Sequence, residues 1–154
     1  MKKWFLLSLI GMALFACKSN PATQLSVRSE VGIKGDWTVS SVSYPGSEVI
    51  KVNAFGLGEA QCLKGSQWHF VSNNNTGNMV LSKPGCVAFD SSITWFINKE
   101  GNFVFKFLEG AKAKTVVDGY TLRYTPQNDQ SFQLIDRVNV AGKIVEVTYQ
   151  FNRN

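Results

Sequence analysis

The chain has 154 residues, of which 16 are lysine or arginine and 11 are aspartate or glutamate, so its net charge at pH 7 is +5. This length suits a single domain with a sizeable core. The basic residues are scattered rather than clustered, so the charge pattern excludes the basic footprint of a nucleic-acid-binding protein.

The chain begins with a short positive segment that is followed by an apolar run. Lys2 and Lys3 precede an uncharged, mostly apolar stretch from Trp4 to Ala16. At about 1.5 Å per helical residue, this stretch is too short to span a bilayer. A positive start and an apolar run of this length are typical of a signal peptide.

The apolar run ends at Leu14–Cys17 (LFAC), which resembles the bacterial lipobox. In proteins with that motif the cysteine sulfur receives a diacylglycerol, and cleavage leaves the cysteine as the new N-terminus. The resemblance implies that residues 1–16 are a lipoprotein signal peptide and that lipid on Cys17 holds the protein on a membrane, since two or more acyl chains give stable anchoring. The alternative is an ordinary secreted protein with a cysteine here by chance.

Residues 17–32 are predicted to be the lipid anchor and a flexible tether, because the segment after Cys17 is polar and lacks periodicity. No acidic cluster follows Cys17. In Bacteroidetes lipoproteins an acidic cluster directly after the lipidated cysteine resembles a signal for export to the cell surface. We therefore expect a cell-envelope protein on the outer membrane whose domain faces the periplasm, with surface display as the alternative.

Two cysteines remain when Cys17 is lipidated. Cys62 and Cys86 are an even pair in an oxidising compartment, which predicts a disulfide. It would close a loop of about 25 residues and stabilise the fold by roughly 3–4 kcal/mol in the chain-entropy model. Neither cysteine has the close Cys or His partners of a zinc site. His69, the only histidine, is expected to be a strand residue that faces solvent or a satisfied partner, so no metal and no cofactor is predicted.

Alternating apolar residues and short turns predict an all-β domain with no C-terminal helix. Residues 45–66 are expected to form a long loop with a short strand or helical turn, because glycines interrupt any longer element. Sequential hairpins favour an antiparallel up-and-down meander, which closure into a barrel would free of exposed edges. Eight strands are predicted, at residues 35–44, 67–72, 78–82, 91–98, 102–108, 117–125, 130–138 and 143–152.

One face of the predicted sheet is rich in aromatic residues and is expected to be the interior, because successive strand residues point to opposite faces. The inward set comprises Ile93, Trp95, Ile97, Phe103, Phe105, Phe107, Tyr120, Leu122, Tyr124, Phe132, Leu134, Val145, Val147, Tyr149 and Phe151. Asp136 follows Phe132 and Leu134 in the same alternation, so it too is predicted to point inward, where a carboxylate needs a partner.

Gly35-Asp36-Trp37, at the start of the first strand, resembles the Gly-x-Trp signature of lipocalins. An ordered set of further features is similar to the lipocalin-like lipoprotein domain common in Bacteroidetes: CLKGSQWHF at 62–70, the asparagine-rich turn at 73–77, a second cysteine and ITW at 93–95. The resemblance covers about residues 33–152 and implies an eight-stranded lipocalin-like (calycin-like) barrel domain over residues 33–154. The second lipocalin motif, Thr-Asp-Tyr, is missing.

Gly35 is expected to let the chain turn sharply into the barrel, and Trp37 to plug its closed end. Lipocalins pack an arginine on this tryptophan. The candidate for that arginine in this chain is Arg153.

The first function that the resemblance implies is the binding of a small molecule. The barrel would hold a small hydrophobic or amphipathic molecule such as a lipid or fatty acid, with residues 45–66 as a lid. Trp95, Phe105, Tyr124 and Tyr149 would line the cavity, and the tyrosine hydroxyls would orient a polar head.

Two other functions remain open. A barrel filled by its own side chains would be a non-catalytic structural or interaction protein of the envelope, with an unknown protein partner contacted through loops such as 44–66. An enzyme is not expected, because no Ser/His/Asp or Cys/His spacing is present. The carboxylates that could pair as acid and base are Asp118, Asp136 and Glu146.

Overall fold

The computed structural model describes residues 21–110 and 119–154. The predicted signal peptide, the lipidation site Cys17 and Asp118 lie outside the described residues. One helix precedes eight strands: α1 (Pro21–Ile33), β1 (Gly35–Ser43), β2 (Gln67–Val71), β3 (Thr76–Leu81), β4 (Phe89–Ile97), β5 (Asn102–Phe107), β6 (Tyr120–Asn128), β7 (Ser131–Val140) and β8 (Lys143–Arg153).

The strands form a closed barrel in sequence order. Each strand pairs antiparallel with the next, and β8 returns to pair with β1 through contacts that include Trp37 opposite Arg153. Because the barrel is closed, every strand pairs with a neighbour on both sides over at least part of its length. The predicted all-β, eight-stranded up-and-down architecture is therefore confirmed.

The aromatic face of the sheet is the interior of the barrel. Burial alternates along β4, where Ile93 and Trp95 are fully buried and Thr94 between them is not. The same alternation brings Phe103 and Phe105 of β5 inside. Trp95 stacks on Phe103, and the Phe103 ring lies tilted against that of Phe105, so that the barrel has one continuous aromatic core.

A helix lies where a flexible tether was expected, so the prediction for residues 17–32 is wrong from Pro21 onward. α1 packs against one end of the barrel, where Ile33 is fully buried and the Glu30 carboxylate accepts a 2.9 Å hydrogen bond from the Ile97 N–H. Tertiary contacts of this kind stabilise a short helix whose own sequence has no amphipathic pattern. No helix in the described ranges is long and apolar enough to cross a membrane.

Trp37 and Arg153 close this end of the barrel together. The Trp37 indole donates a 2.6 Å hydrogen bond to the Ile33 carbonyl, and the Arg153 guanidinium lies 4.3 Å from the centre of the Trp37 ring. The same guanidinium donates to the carbonyls of Gly32, in the last turn of α1, and of Lys34, which joins α1 to β1. We call this the closed end.

Gly35 makes the close approach of the arginine possible. Its φ of +117° lies in a region that other residues avoid, and a Cβ at this position would lie 2.8 Å from the Arg153 guanidinium. Gly35 therefore supplies both the sharp turn between α1 and β1 and the space for the arginine.

Residues 45–66 cross the opposite end, which we call the lid end. The segment contains an isolated bridge between Asn53 and Glu59 and a single 3-10 turn at Ala60–Leu63, in agreement with the predicted loop and helical turn. The predicted disulfide between Cys62 and Cys86 is present and ties this turn to the β3–β4 connection. The lid segment is thus fixed at its C-terminal side.

Candidate functional site

Phe55, in the middle of the lid segment, inserts its ring into the barrel. Only 8% of the residue is exposed. Its ring centre lies 5.2 Å from that of Phe105, 5.0 Å from Tyr120 and 5.4 Å from Tyr149. The side chain therefore fills the interior of the barrel at the lid end, and we call it the plug.

With the plug in place, the interior retains a cavity of only about 10 Å³. A volume of this size is close to the smallest that admits one water molecule. The cavity is lined by Val39, Phe55, Leu63, Trp68, Phe105, Leu122, Leu134, Tyr149 and Phe151. The barrel is thus filled by its own side chains in this conformation.

Two of the four predicted ligand-binding residues, Phe105 and Tyr149, line this cavity, and the other two do not. Trp95 is fully buried away from it, where its indole donates to the Thr76 carbonyl at 2.8 Å and its ring stacks on Phe103. Trp95 therefore belongs to the packed core rather than to the cavity wall.

Tyr124, the fourth predicted ligand residue, lies at the closed end. It lines a separate cleft of about 220 Å³ beneath α1, together with Trp37 and Phe132. Burial raises the pKa of its hydroxyl. The structure consequently separates Tyr124 from Tyr149 instead of bringing both hydroxyls to one ligand.

The backbone of the plug is strained. Phe55 has a φ of +53°, a left-handed conformation that is uncommon for a bulky side chain, and Gly56 follows with a φ of +69°. Such a conformation stores about 1–3 kcal/mol and persists only where the surroundings enforce it. The Tyr120 hydroxyl supplies one constraint, because it donates a 2.9 Å hydrogen bond to the Phe55 carbonyl.

The Tyr149 hydroxyl is buried beside the plug and makes no hydrogen bond among the described residues. Burial raises the pKa of this phenol far above its ordinary value, and the nearby Asp136 carboxylate raises it further. Tyr149 is therefore a neutral donor at any physiological pH. An unsatisfied buried hydroxyl costs roughly 1–3 kcal/mol, which a hydrogen-bonding ligand would recover.

The barrel wall has a gap beside this site, between β6 and β7. Residues 120–122 of β6 pair with β5 alone, and β7 from Asp136 onward pairs with β8 alone. A cleft of about 360 Å³ lies in the gap. Leu122 lines both this cleft and the interior cavity, so its side chain is the partition between them.

The gap carries four charged side chains, on two faces of the sheet. Asp136 continues the buried row of Phe132 and Leu134 and is half-buried, as the alternation predicts, and burial raises the pKa of its carboxyl. Glu146 lies on the outer face, where its carboxylate contacts Arg123 at 3.4 Å and Arg137 at 3.9 Å. Asp136 and Glu146 therefore do not face each other as an acid/base pair.

His69 lies on the outer face of β2, where its Nδ1 is 2.6 Å from the Asp36 carboxylate. Both side chains are more than half exposed, which agrees with the predicted solvent-facing strand residue. Within residues 21–110 and 119–154, no group of three His, Cys, Asp or Glu side chains is placed to hold a metal ion.

Neither the plug nor Tyr120 was identified from the sequence as part of the site. Phe55 is followed by Gly56 and Gly58, and the insertion of its ring depends on contacts with strands 50 to 94 residues further along the chain. The one local signal is a phenylalanine directly followed by glycine in the loop between β1 and β2. The candidate site consists of Phe55, Phe105, Tyr120 and Tyr149 at the lid end.

No known family model matches the chain, and no curated protein does. Among solved structures it is similar to bovine odorant-binding protein in complex with a selenium-containing odorant, with 12% identity, a TM-score of 0.46 and coverage of 81% of this chain and 72% of that one. The same bovine protein with its natural ligand gives 12% identity, a TM-score of 0.45 and coverage of 80% and 72%. A further solved structure, odorant-binding protein OBP1, has 11% sequence identity and a TM-score of 0.47, with coverage of 81% of this chain and 73% of that one.

Proposed function

We propose that this lipocalin-like barrel binds a small hydrophobic or amphipathic molecule at the lid end, in the place that the Phe55 ring takes in the free protein. The observation that carries the proposal is the strained plug beside the unpaired Tyr149 hydroxyl. A permanent core residue would be expected to have an ordinary backbone and satisfied polar neighbours.

The energies of the exchange are closely balanced. Withdrawing the Phe55 ring loses about 1.5–3 kcal/mol of apolar burial. Release of the left-handed backbone returns about 1–3 kcal/mol, and a hydrogen bond between the Tyr149 hydroxyl and the ligand adds about 0.5–1.5 kcal/mol. A ligand with one ring or a short alkyl chain and a polar head can therefore replace the plug.

The test is calorimetric titration of the protein with 2-phenylethanol, whose ring matches that of Phe55. The proposal predicts one site per chain and a negative heat-capacity change, because apolar surface is buried. A protein that releases no heat and shows no adduct by native mass spectrometry at saturating probe would contradict it.

Loosening the plug should strengthen binding. Tyr120→Phe removes the hydroxyl that holds the Phe55 carbonyl, so the affinity for 2-phenylethanol should rise by roughly two- to tenfold. Tyr44→Phe is the matched control, since that hydroxyl holds the same segment at the Ile50 carbonyl, 3.0 Å away, but not the plug. Equal affinities for the two variants would show that the Tyr120 bond does not restrain the plug.

A second candidate function is that of a non-catalytic interaction protein with a permanently filled barrel. The observation in its favour is the cavity of only about 10 Å³. On this alternative the plug never leaves, and the protein would take up no small molecule even when Tyr120 is replaced.

We further propose that lipid on Cys17 anchors the barrel to the outer membrane, with the domain in the periplasm. The support is the apolar run that ends at Leu14–Cys17 and the absence of an acidic cluster after it. Mass spectrometry of the N-terminal peptide should find Cys17 acylated. Cys17→Ser should move the protein out of the membrane fraction, and a variant that stays membrane-bound would contradict the anchor.

A further inference from the structure

Asp136 is a carboxylate on the inner face of the barrel wall. It continues the row of Phe132 and Leu134, which are both buried, and it lies at the gap where β7 has left β6. Its carboxylate makes no ion pair among the described residues. Arg137, its neighbour in the chain, points to the outer face and contacts Glu146 there.

Tyr149 stands next to Asp136 on the neighbouring strand. Asp136 pairs with Val147 and Leu134 pairs with Tyr149, so Asp136 and Tyr149 are diagonal neighbours on the same inner face. Diagonal neighbours are within reach of long side chains. A ligand head that replaces the plug would therefore meet one carboxylate and one unpaired hydroxyl.

The Asp136 carboxylate and the Tyr149 hydroxyl together discriminate between ligands by the charge of their polar head group. A fatty acid would bring a second carboxylate close to Asp136, and like charges at short range repel. An ammonium group would pair with Asp136 and could also donate a hydrogen bond to the Tyr149 oxygen. The rings of Phe105 and Tyr120 beside the site attract a cation further.

The other charges at the gap do not cancel this preference. Arg123 and Arg137 both contact Glu146 on the outer face, and all three side chains are about half or more exposed. Exposed charges are screened by solvent and salt far more than a half-buried carboxylate. Asp136 is consequently the charge that a ligand in the barrel would experience most strongly.

We infer that the ligand is a small hydrophobic amine, with its ammonium group on Asp136 and Tyr149 and its apolar body in the place of the Phe55 ring. The inference rests on the proposed function and narrows it to one ligand class. The gap between β6 and β7 gives the head a route to solvent past Leu122, whose side chain borders both the cleft and the cavity.

Three probes with the same phenyl ring test the inference: 2-phenylethylamine, 2-phenylethanol and phenylacetate. Titrated at pH 7, the wild-type protein should bind the amine roughly tenfold or more tightly than the alcohol, and phenylacetate most weakly. In Asp136→Asn, which keeps the shape of the side chain, the amine should lose its advantage over the alcohol.

Glu146→Gln is the matched control, because it neutralises a carboxylate at the same gap on the outer face. It should leave the order of the three probes unchanged. Loss of the amine preference in Glu146→Gln but not in Asp136→Asn would overturn the assignment. Binding of the alcohol without preference for the amine would overturn the inference and leave the proposed function standing, whereas failure of all three probes to bind would overturn both.

Discussion

Replacing Trp37 with alanine is expected to lower the free energy of unfolding by about 3–5 kcal/mol, as for other fully buried aromatic residues. Trp37 is 1% exposed and packs edge-to-face on Phe132, with ring centres 4.6 Å apart. Its removal also leaves the Ile33 carbonyl without its donor and the Arg153 guanidinium without its ring. Both α1 and the closed end of the barrel lose their common contact.

Urea unfolding followed by circular dichroism measures this effect. Trp37→Phe is the control, because it keeps a ring under Arg153 but loses the indole N–H, and it should destabilise the protein clearly less than alanine does. The affinity for 2-phenylethanol should not change while the variant is folded, since Trp37 lies at the end of the barrel opposite the plug. A Trp37→Ala protein within 1 kcal/mol of the wild type would contradict the account of the closed end.

Phe55→Ala is expected to bind 2-phenylethanol roughly ten- to a hundredfold more tightly than the wild type. The ligand no longer competes with a ring whose burial is worth about 1.5–3 kcal/mol. The same substitution should destabilise the free protein, because the interior that the ring filled becomes an apolar cavity beside Phe105 and Tyr149. Ligand should then restore much of that stability, since it binds only the folded state.

Two further variants distinguish the effect of the Phe55 ring from general effects of substitutions in the lid segment. Phe55→Gly removes the ring and also relieves the left-handed backbone, so it should be more stable than Phe55→Ala by about 0.5–1 kcal/mol. Val49→Ala changes a side chain of the same segment that is 86% exposed, and it should alter neither stability nor affinity. Unchanged affinity in Phe55→Ala would mean that the ring does not occupy the ligand site.

The barrel was predictable because its signals are local. Alternation along Ile93–Ile97 or Lys143–Asn152 distinguishes the inner face from the outer face without knowledge of the partners, and glycine- and asparagine-rich turns mark the hairpins. The same alternation placed Asp136 on the inner face. A boundary error occurred at Pro126, predicted in a turn, because β6 runs through it to Asn128 with a register shift that no local pattern announces.

The parts that could not be predicted depend on contacts between distant residues. α1 has no amphipathic stripe, and Glu30, Gly32 and Ile33 hold it on β4, β8 and Trp37. The plug also depends on distant residues, because the left-handed backbone of Phe55 is stable only when the barrel surrounds its ring. Alternation predicts which side chains point into the barrel, but it does not predict how far along the barrel axis each one lies. The predicted lining therefore included Trp95 and Tyr124, which lie away from the lid-end cavity.

The central claim, that the barrel carries a small molecule in the place of the plug, is tested most directly by native mass spectrometry of the protein purified under mild conditions from its own envelope. We predict an excess mass of one small molecule per chain that solvent extraction removes, and that proves to be an amine when identified. A mass accounted for by the polypeptide, its Cys62–Cys86 disulfide and covalent lipid alone, in a protein that then takes up none of the three phenyl probes, would contradict the claim and favour the filled interaction barrel.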